Sequence, residues 1–279
     1  MASTRMEALP FIKMSGSGND FILIDNRSRL LDESNLAGFV AAVCRRRLSV
    51  GGDGVILIEE SETADFRWRF FNADGSSAEM CGNGARCAAR FARLIGICGT
   101  QVRFETEAGL VEAQVEGVRV KVKMTDPRDL EVDIPIHLTS GALLGSRVNT
   151  GVPHVVVLAA RIEDIDVAGL GREIRFHQQF APAGTNASFI CPELPGAIAI
   201  RTYERGVEAE TLACGTGAVA GALVAACKLG LDSPVRVRTA GGEVLTVYFE
   251  GREGPFHNVY QEGDARLIYK GVLHPEAWQ

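Results

Sequence analysis

Two stretches of this chain repeat one pattern. Phe71 to Cys87 reads FNADGSSAEMCGNGARC, and Tyr203 to Ala218 reads YERGVEAETLACGTGA. Each runs from an aromatic strand end through an Asn or acidic residue, a Gly turn and an Ala-Glu pair to Cys-Gly-x-Gly-Ala. Cys81 and Cys214 stand 133 residues apart in a chain of 279, so each half carries one copy of the same unit. Two domains of ordinary size accommodate that length, and each is large enough to bury its own core.

The residues after each Cys-Gly-x-Gly predict what a unit is built around. Ala85 to Leu94 and Ala218 to Leu229 are Ala-rich, with Gly96 or Gly230 at the end, which predicts a helix stopped by glycine. The second, AVAGALVAAC, is apolar on every side, and such a helix is normally buried with other elements around it. Strand-like runs fill the rest: Phe11 to Met14, Phe21 to Asp25, Val55 to Glu59, Phe66 to Asn72, Val102 to Thr106, Leu110 to Val115 and Val118 to Met124. Leu36 to Arg46 has helical periodicity. After the strand-breaking Asp126-Pro127 pair a second series follows: Leu130 to Ile136, Val155 to Ala159, Ala187 to Cys191, Ala197 to Tyr203, Val235 to Thr239, Glu243 to Phe249 and Ala265 to Tyr269. The expected fold is α+β: two pseudo-symmetric domains, each a curved mixed or antiparallel, barrel-like β-sheet wrapped around a central helix, with the active site in the cleft between them. The expected division is residues 1–126, joined by 268–279, and residues 127–267.

Composition narrows the function. Twenty-nine Lys plus Arg against 35 Asp plus Glu give a net charge of −6, with no basic surplus that points to nucleic acid or an anionic membrane. The longest nearly uncharged stretch, Thr211 to Cys227, is too short to span a bilayer. The N-terminus, MASTRMEALPFIKM, lacks an apolar core of signal-peptide length. Seven cysteines, odd in number and scattered, do not form a disulfide framework and read as reduced thiols in a cytoplasm.

A cysteine at a helix N-terminus meets the positive end of the helix dipole and unpaired N–H groups, which favour thiolate. The N–H groups of Gly82 to Gly84 and Gly215 to Gly217 also suit a carboxylate, with glycine admitting close approach. If two such units face each other, one thiolate removes a proton from one face of a small carboxylic acid and the opposite thiol protonates the other. That inverts a stereocentre. Cys87 and Cys227 lie inside the predicted helices, and Cys44, Cys98 and Cys191 lack repeated surroundings, so these five are expected to be structural. Zinc is disfavoured because no Cys-x-x-Cys or paired His set occurs. Gly16-Ser17-Gly18 lacks the third glycine of a dinucleotide fingerprint. His154, after Gly-Val-Pro, reads on its own as a strand-start histidine.

These motifs resemble the diaminopimelate epimerase family, isomerases of lysine and cell-wall biosynthesis that use two cysteines and no pyridoxal phosphate. The resemblance runs through KMSGSGNDFILID (Lys13 to Asp25), VGGDG (Val50 to Gly54), RFFNADGSSAEMCGNGARC (Arg69 to Cys87), NTGVPH (Asn149 to His154), GTNASFI (Gly184 to Ile190) and RTYERGVEAETLACGTGA (Arg201 to Ala218). It implies that Cys81 and Cys214 are the acid and base, with His154 and Glu204 assisting proton transfer. It implies that Gly82, Asn83, Gly215 and Thr216 hold the reacting carboxylate, and that Asn19, Asn72, Asn186, Glu204 and Arg205 meet the distal end of diaminopimelate. Neither metal nor organic cofactor is implied, and a homodimer is. Three positions depart from the common pattern: Val152 where many members have Asn, Gly54 where some have Gln, and Ser188 where another Asn is common. A two-cysteine racemase of another amino acid, such as proline, is the nearest alternative. A thiol redox protein is a more distant one, since it usually carries Cys-x-x-Cys.

Overall fold

The computed structural model describes residues 8–78, 80–139 and 141–278. Glu79, half of the first Ala-Glu pair, and residues 1–7 of the N-terminal segment weighed above as a leader lie outside the described residues. The chain divides into two compact units, one running to Val122 and resuming at Gly263, the other from Lys123 to Glu262. Residues 263–267 join the first unit: Ala265 N donates to Val118 O at 2.9 Å, and Asp264 pairs with Arg119 at 3.3 Å.

In the first unit β1 (Leu9–Gly16) and β2 (Asn19–Asp25) form a hairpin with Met14 opposite Phe21. Its turn is Ser17-Gly18, both with positive φ (51° and 94°), the geometry that matches strand twist. Gly16-Ser17-Gly18 is therefore a hairpin corner. A connection carrying α1 (Leu36–Val43) leads to β3 (Gly54–Glu59), parallel to β2, and β4 (Phe66–Asn72) returns antiparallel to β3. Then come α2 (Gly82–Leu94), β5 (Gln101–Thr106) parallel to β4, β6 (Gly109–Glu116) and β7 (Arg119–Lys123). A C-terminal strand, Arg266–Leu273, pairs antiparallel with β1. Helix α2 packs against β1 through β6, so the sheet curves around it. Phe66 and Phe104 stack at 4.9 Å beneath it, with Trp68 tilted 5.6 Å from Phe104.

The second unit repeats this order after β8 (Arg128–Leu138). Strands β9 (Gly141–Asn149) and β10 (Pro153–Leu158) form the hairpin, and a connection carrying α3 (Val167–Arg175) leads to β11 (Asn186–Pro192), parallel to β10. Antiparallel β12 (Ala197–Glu204) and short β13 (Ala209–Thr211) precede α4 (Gly215–Leu229). Then β14 (Val235–Arg238) runs parallel to β12, followed by β15 (Val244–Glu250) and β16 (His257–Asp264). Helix α4 packs against strands β8 to β12, β14 and β15, and Gly217 to Ala226 are all buried, as the absence of a polar face predicts. Gly230 closes it in the left-handed region at φ 65°.

Both central helices begin earlier than expected, at Gly82 and Gly215 rather than Ala85 and Ala218. Glycine reads as a breaker, yet the first turn lacks full hydrogen bonding in any helix, so it is tolerated there. Among the described residues no helix is long and apolar enough to cross a membrane.

Candidate active site

Cys81 is the N-cap of α2, in extended conformation (φ −146°, ψ 116°), and its Sγ accepts from Gly84 N at 3.4 Å. Gly82 and Asn83 open the helix directly behind it. The Asn83 side chain is occupied on both sides: its Nδ2 donates to Asn19 Oδ1 at 2.7 Å, and its Oδ1 accepts from Arg86 Nη2 at 2.6 Å. Arg86 also donates to Ser17 Oγ at 2.8 Å, and Asn19 donates to Asp53 Oδ2 at 3.0 Å. Asn19, Asn83, Arg86 and the Ser17 turn thus form one polar network that fixes the first turn of α2. It leaves backbone N–H groups, rather than the Asn83 amide, to meet an anion. Asn72 ends β4 opposite Gly54, is exposed, and donates to Ser76 Oγ at 3.0 Å.

Cys214 occupies the same place on α4 (φ −111°, ψ 114°) and is buried. Its Sγ lies 3.6 Å from Thr216 Oγ1, which in turn lies 3.0 Å from His154 Nε2. The helix start is held from outside, since Gln261 Nε2 donates to Gly215 O at 2.6 Å and Thr150 Oγ1 to Thr216 O at 3.0 Å. Glu204, the last residue of β12, bonds both Cys214 and Thr211 Oγ1, the latter at 2.9 Å. Burial pushes its carboxyl above the usual range, and the bonds from Thr211 and Cys214 only partly oppose this. Asn186 lies beside His154 in the β10–β11 pairing and acts as a brace: its Oδ1 accepts from Arg205 N at 2.7 Å, and its Nδ2 donates to Pro153 O at 3.1 Å. The Arg205 guanidinium donates to Ala183 O at 3.1 Å.

His154 is 1% exposed, and burial, assisted by the Arg205 charge, pushes its imidazole down to about 3. It is neutral at physiological pH, so it serves as a hydrogen-bonding partner of the Thr216 hydroxyl rather than as a cation. Its folded value lies below the unfolded value of about 6.5, so the unfolded chain binds the extra proton between the two. The stabilisation from a neutral His154 is complete above the unfolded value and is lost as pH falls toward the folded one. Between pH 6.5 and pH 5 the loss is about 1.6 kcal/mol. Urea unfolding at these two pH values, on the protein and on His154→Gln, is expected to show the variant losing less on acidification; equal losses would contradict the assignment.

Burial pushes Cys44 up to about 11, Cys87 to about 12 and Cys98 to about 11, and raises Cys227, which makes them poor nucleophiles. Of the three departures from the common family pattern, two have a structural reason. A side chain at Gly54 would place its Cβ 2.4 Å from Phe71 O, and Ser188 is fully buried with its hydroxyl 3.0 Å from Thr202 Oγ1. Nothing in the structure explains Val152. Sequence reasoning missed Arg86, Thr150, Thr211 and Gln261. Arg86 alone had a visible signal, because it stands inside the repeated motif where the second copy has Val219.

The residues place Cys81 with Gly82, Asn83 and Asn19 in one unit, and Cys214 with Gly215, Thr216, His154, Glu204, Asn186 and Arg205 in the other. The family model described as diaminopimelate epimerase matches residues 11–130 and 146–268. A diaminopimelate epimerase from Aquifex aeolicus (strain VF5) is 46% identical over 279 residues, covering 96% of this chain and 99% of its own. One from Chlorobaculum tepidum is 45% identical, covering 93% and 99%. Among solved structures, a phenazine biosynthesis protein of the PhzF family from Bacillus anthracis has a TM-score of 0.74 at 16% identity, covering 96% of this chain and 99% of that one. A hydroxyproline epimerase from Agrobacterium vitis has a TM-score of 0.69 at 17% identity, covering 100% and 96%. These two share the fold. The full-length sequence relatives and the family model together establish that the chain belongs to the diaminopimelate epimerase family.

Proposed function

We propose that this protein is an isomerase that interconverts LL- and meso-diaminopimelate, feeding lysine and peptidoglycan precursor synthesis, and that it acts as a cytoplasmic homodimer. The observation that carries this reading is the pair of cysteines, each the N-cap of the central helix in one copy of a repeated unit. In the proposed reaction one thiolate takes the α-proton and the other thiol delivers a proton to the opposite face. No electron sink is required of a cofactor or metal. The carbanion is stabilised by the substrate's retained ammonium and by the N–H groups at Gly82, Asn83, Gly215 and Thr216, which point at the α-carboxylate.

The remaining roles follow from the bonds described above. Glu204 bonds the Cys214 thiol and assists its proton transfer, while His154 acts one step removed, by orienting the Thr216 hydroxyl beside Cys214. Asn19, Asn72, Asn186, Glu204 and Arg205 are assigned to the distal end, where a carboxylate suits Arg and an ammonium suits Glu. Asn186 contributes mainly by holding the Arg205 backbone. This polar set fits a substrate with two amino and two carboxyl groups better than an apolar ring, which disfavours proline.

Incubation with LL-diaminopimelate and, separately, L-proline, followed by chiral chromatography, tests the substrate. Conversion of the first to a mixture with the meso isomer, and no D-proline, is expected. Racemised proline with unchanged diaminopimelate would overturn the reading.

A further inference from the structure

We propose that Asp53 is a positioning residue: its carboxylate fixes which end of the Asn19 amide donates and which accepts and, through Asn19, how Asn83 is held at the start of α2. The inference rests on the reading of Asn19 as a substrate ligand given above. It also gives the Gly51-Gly52-Asp53 loop a role that the reading leaves open.

An asparagine amide carries a carbonyl and an NH2 group of nearly the same shape, so a row of such amides can bond in either direction unless its ends are fixed. Here the row is Asp53, Asn19, Asn83 and Arg86. Asn19 Nδ2 donates to Asp53 Oδ2 at 3.0 Å, Asn83 Nδ2 donates to Asn19 Oδ1 at 2.7 Å, and Arg86 Nη2 donates to Asn83 Oδ1 at 2.6 Å. A carboxylate only accepts and a guanidinium only donates, so both ends demand the same direction. Turning either amide over would set donor against donor and acceptor against acceptor.

Asp53 is itself held for this task. Its N–H donates to Asp20 O at 2.8 Å, and Asp20 N donates back to Asp53 Oδ2 at 3.2 Å, which ties both its backbone and its carboxylate to the start of β2, beside Asn19. Its Oδ1 accepts from Arg46 Nη2 at 2.9 Å, which turns Oδ2 toward Asn19. The loop before it lies tight on β1: the buried Lys13 Nζ donates to Gly51 O and pairs with Asp20 at 2.8 Å, and a Cβ on Gly52 would stand 2.8 Å from that Nζ. Glycine is what lets the loop come this close.

Asp53→Asn separates this role from plain charge. The new amide meets Arg46 with its oxygen and so turns its nitrogen toward Asn19 and Asp20 N. Asn19 can then answer only by turning over, which sets its nitrogen against that of Asn83. The alternative is that Asp53 serves only the ion cluster of Arg46, Asp20 and Lys13. Arg46→Gln tests that, since the Arg46 side chain is 59% exposed and its loss removes the ion pair but not the bond from Asn19 to Asp53.

The experiment combines initial rates on LL-diaminopimelate with NMR of the side-chain amides in substrate-free protein carrying isotope-labelled asparagine, Asn19 being identified by the signal lost in Asn19→Ser. Asp53→Asn is expected to raise KM about tenfold while kcat changes less than about threefold, and to shift the Asn19 amide resonances. Arg46→Gln is expected to leave KM within about twofold and those resonances in place. An equal rise in KM in the two variants, or an unmoved Asn19 signal in Asp53→Asn, would overturn the proposal. The unmodified protein decides even if Asp53→Asn does not fold: one Asn19 amide proton is expected well downfield of the other, as a bond to a carboxylate requires, and an ordinary spacing would contradict it. Failure to epimerise diaminopimelate would overturn the substrate reading alone, because the Asn19 resonances are recorded without substrate.

Discussion

Cys214→Ala is expected to lower kcat/KM for epimerisation at least about 10³-fold, a loss of about 4 kcal/mol of transition-state stabilisation, with Cys81→Ala doing the same. In the proposed mechanism each thiol serves as base in one direction and acid in the other, so neither has a substitute when the reaction must protonate the opposite face. The fold is expected to survive both changes. Cys214 makes no side-chain capping bond to the N–H groups of α4, so alanine costs that helix little. Cys81→Ala gives up the contact to Gly84 N, on the order of 1 kcal/mol. Initial rates together with thermal melting separate the two effects. A Cys214→Ala protein keeping a tenth of the activity would show that this sulfur is not an obligatory proton carrier.

Trp68→Ala is expected to cost about 3–5 kcal/mol of stability in the first unit. The indole is 1% exposed, lies 5.6 Å from both Phe70 and Phe104, and comes within 3.5 Å of where a Cβ on Gly84 would stand. Its removal leaves a cavity directly beneath the turn that carries Cys81, and Phe66 and Phe104, already stacked, have little freedom to fill it. Leu48→Ala, at a side chain 74% exposed, is the matched control, with a change within about 0.5 kcal/mol. Urea unfolding of both variants checks this. A loss below about 1 kcal/mol for Trp68→Ala would mean that the site collapses or that this cluster does not support α2.

Much of this architecture was legible in the sequence, because strands such as β3 and β4 announce themselves by apolar runs between turn residues, and α4 by having no polar face at all. Four elements were not. Strand β9 is interrupted by Gly145, and β16 buries Gln261 where the alternation calls for an apolar residue. β13 is three residues long, and α3 carries two glycines that weaken its helical signal. At the candidate site the repeat exposed the two cysteines, and the family resemblance named their neighbours, but neither indicated how those neighbours bond. Asn83 and Asn186, ligand groups by the resemblance, also brace Asn19, Arg86 and Arg205, which the sequence did not show. Gln261 supports Gly215 from 46 residues away, a pairing that local periodicity does not encode. Arg86 was hidden because an arginine on an Ala-rich helix reads as a solvent-facing residue until its burial is known.

The central claim is that two different thiols handle the two faces of one α-carbon. It is tested most directly by following LL-diaminopimelate with the reduced protein in deuterated water by NMR, beside a sample alkylated at its reactive thiols. Early in the reaction the meso product is expected to carry deuterium at the inverted carbon while the remaining LL substrate keeps its protium, and alkylation is expected to abolish both exchange and inversion. Deuterium entering the unconverted LL substrate as fast as it enters product would indicate a single base working on both faces, and would contradict the account.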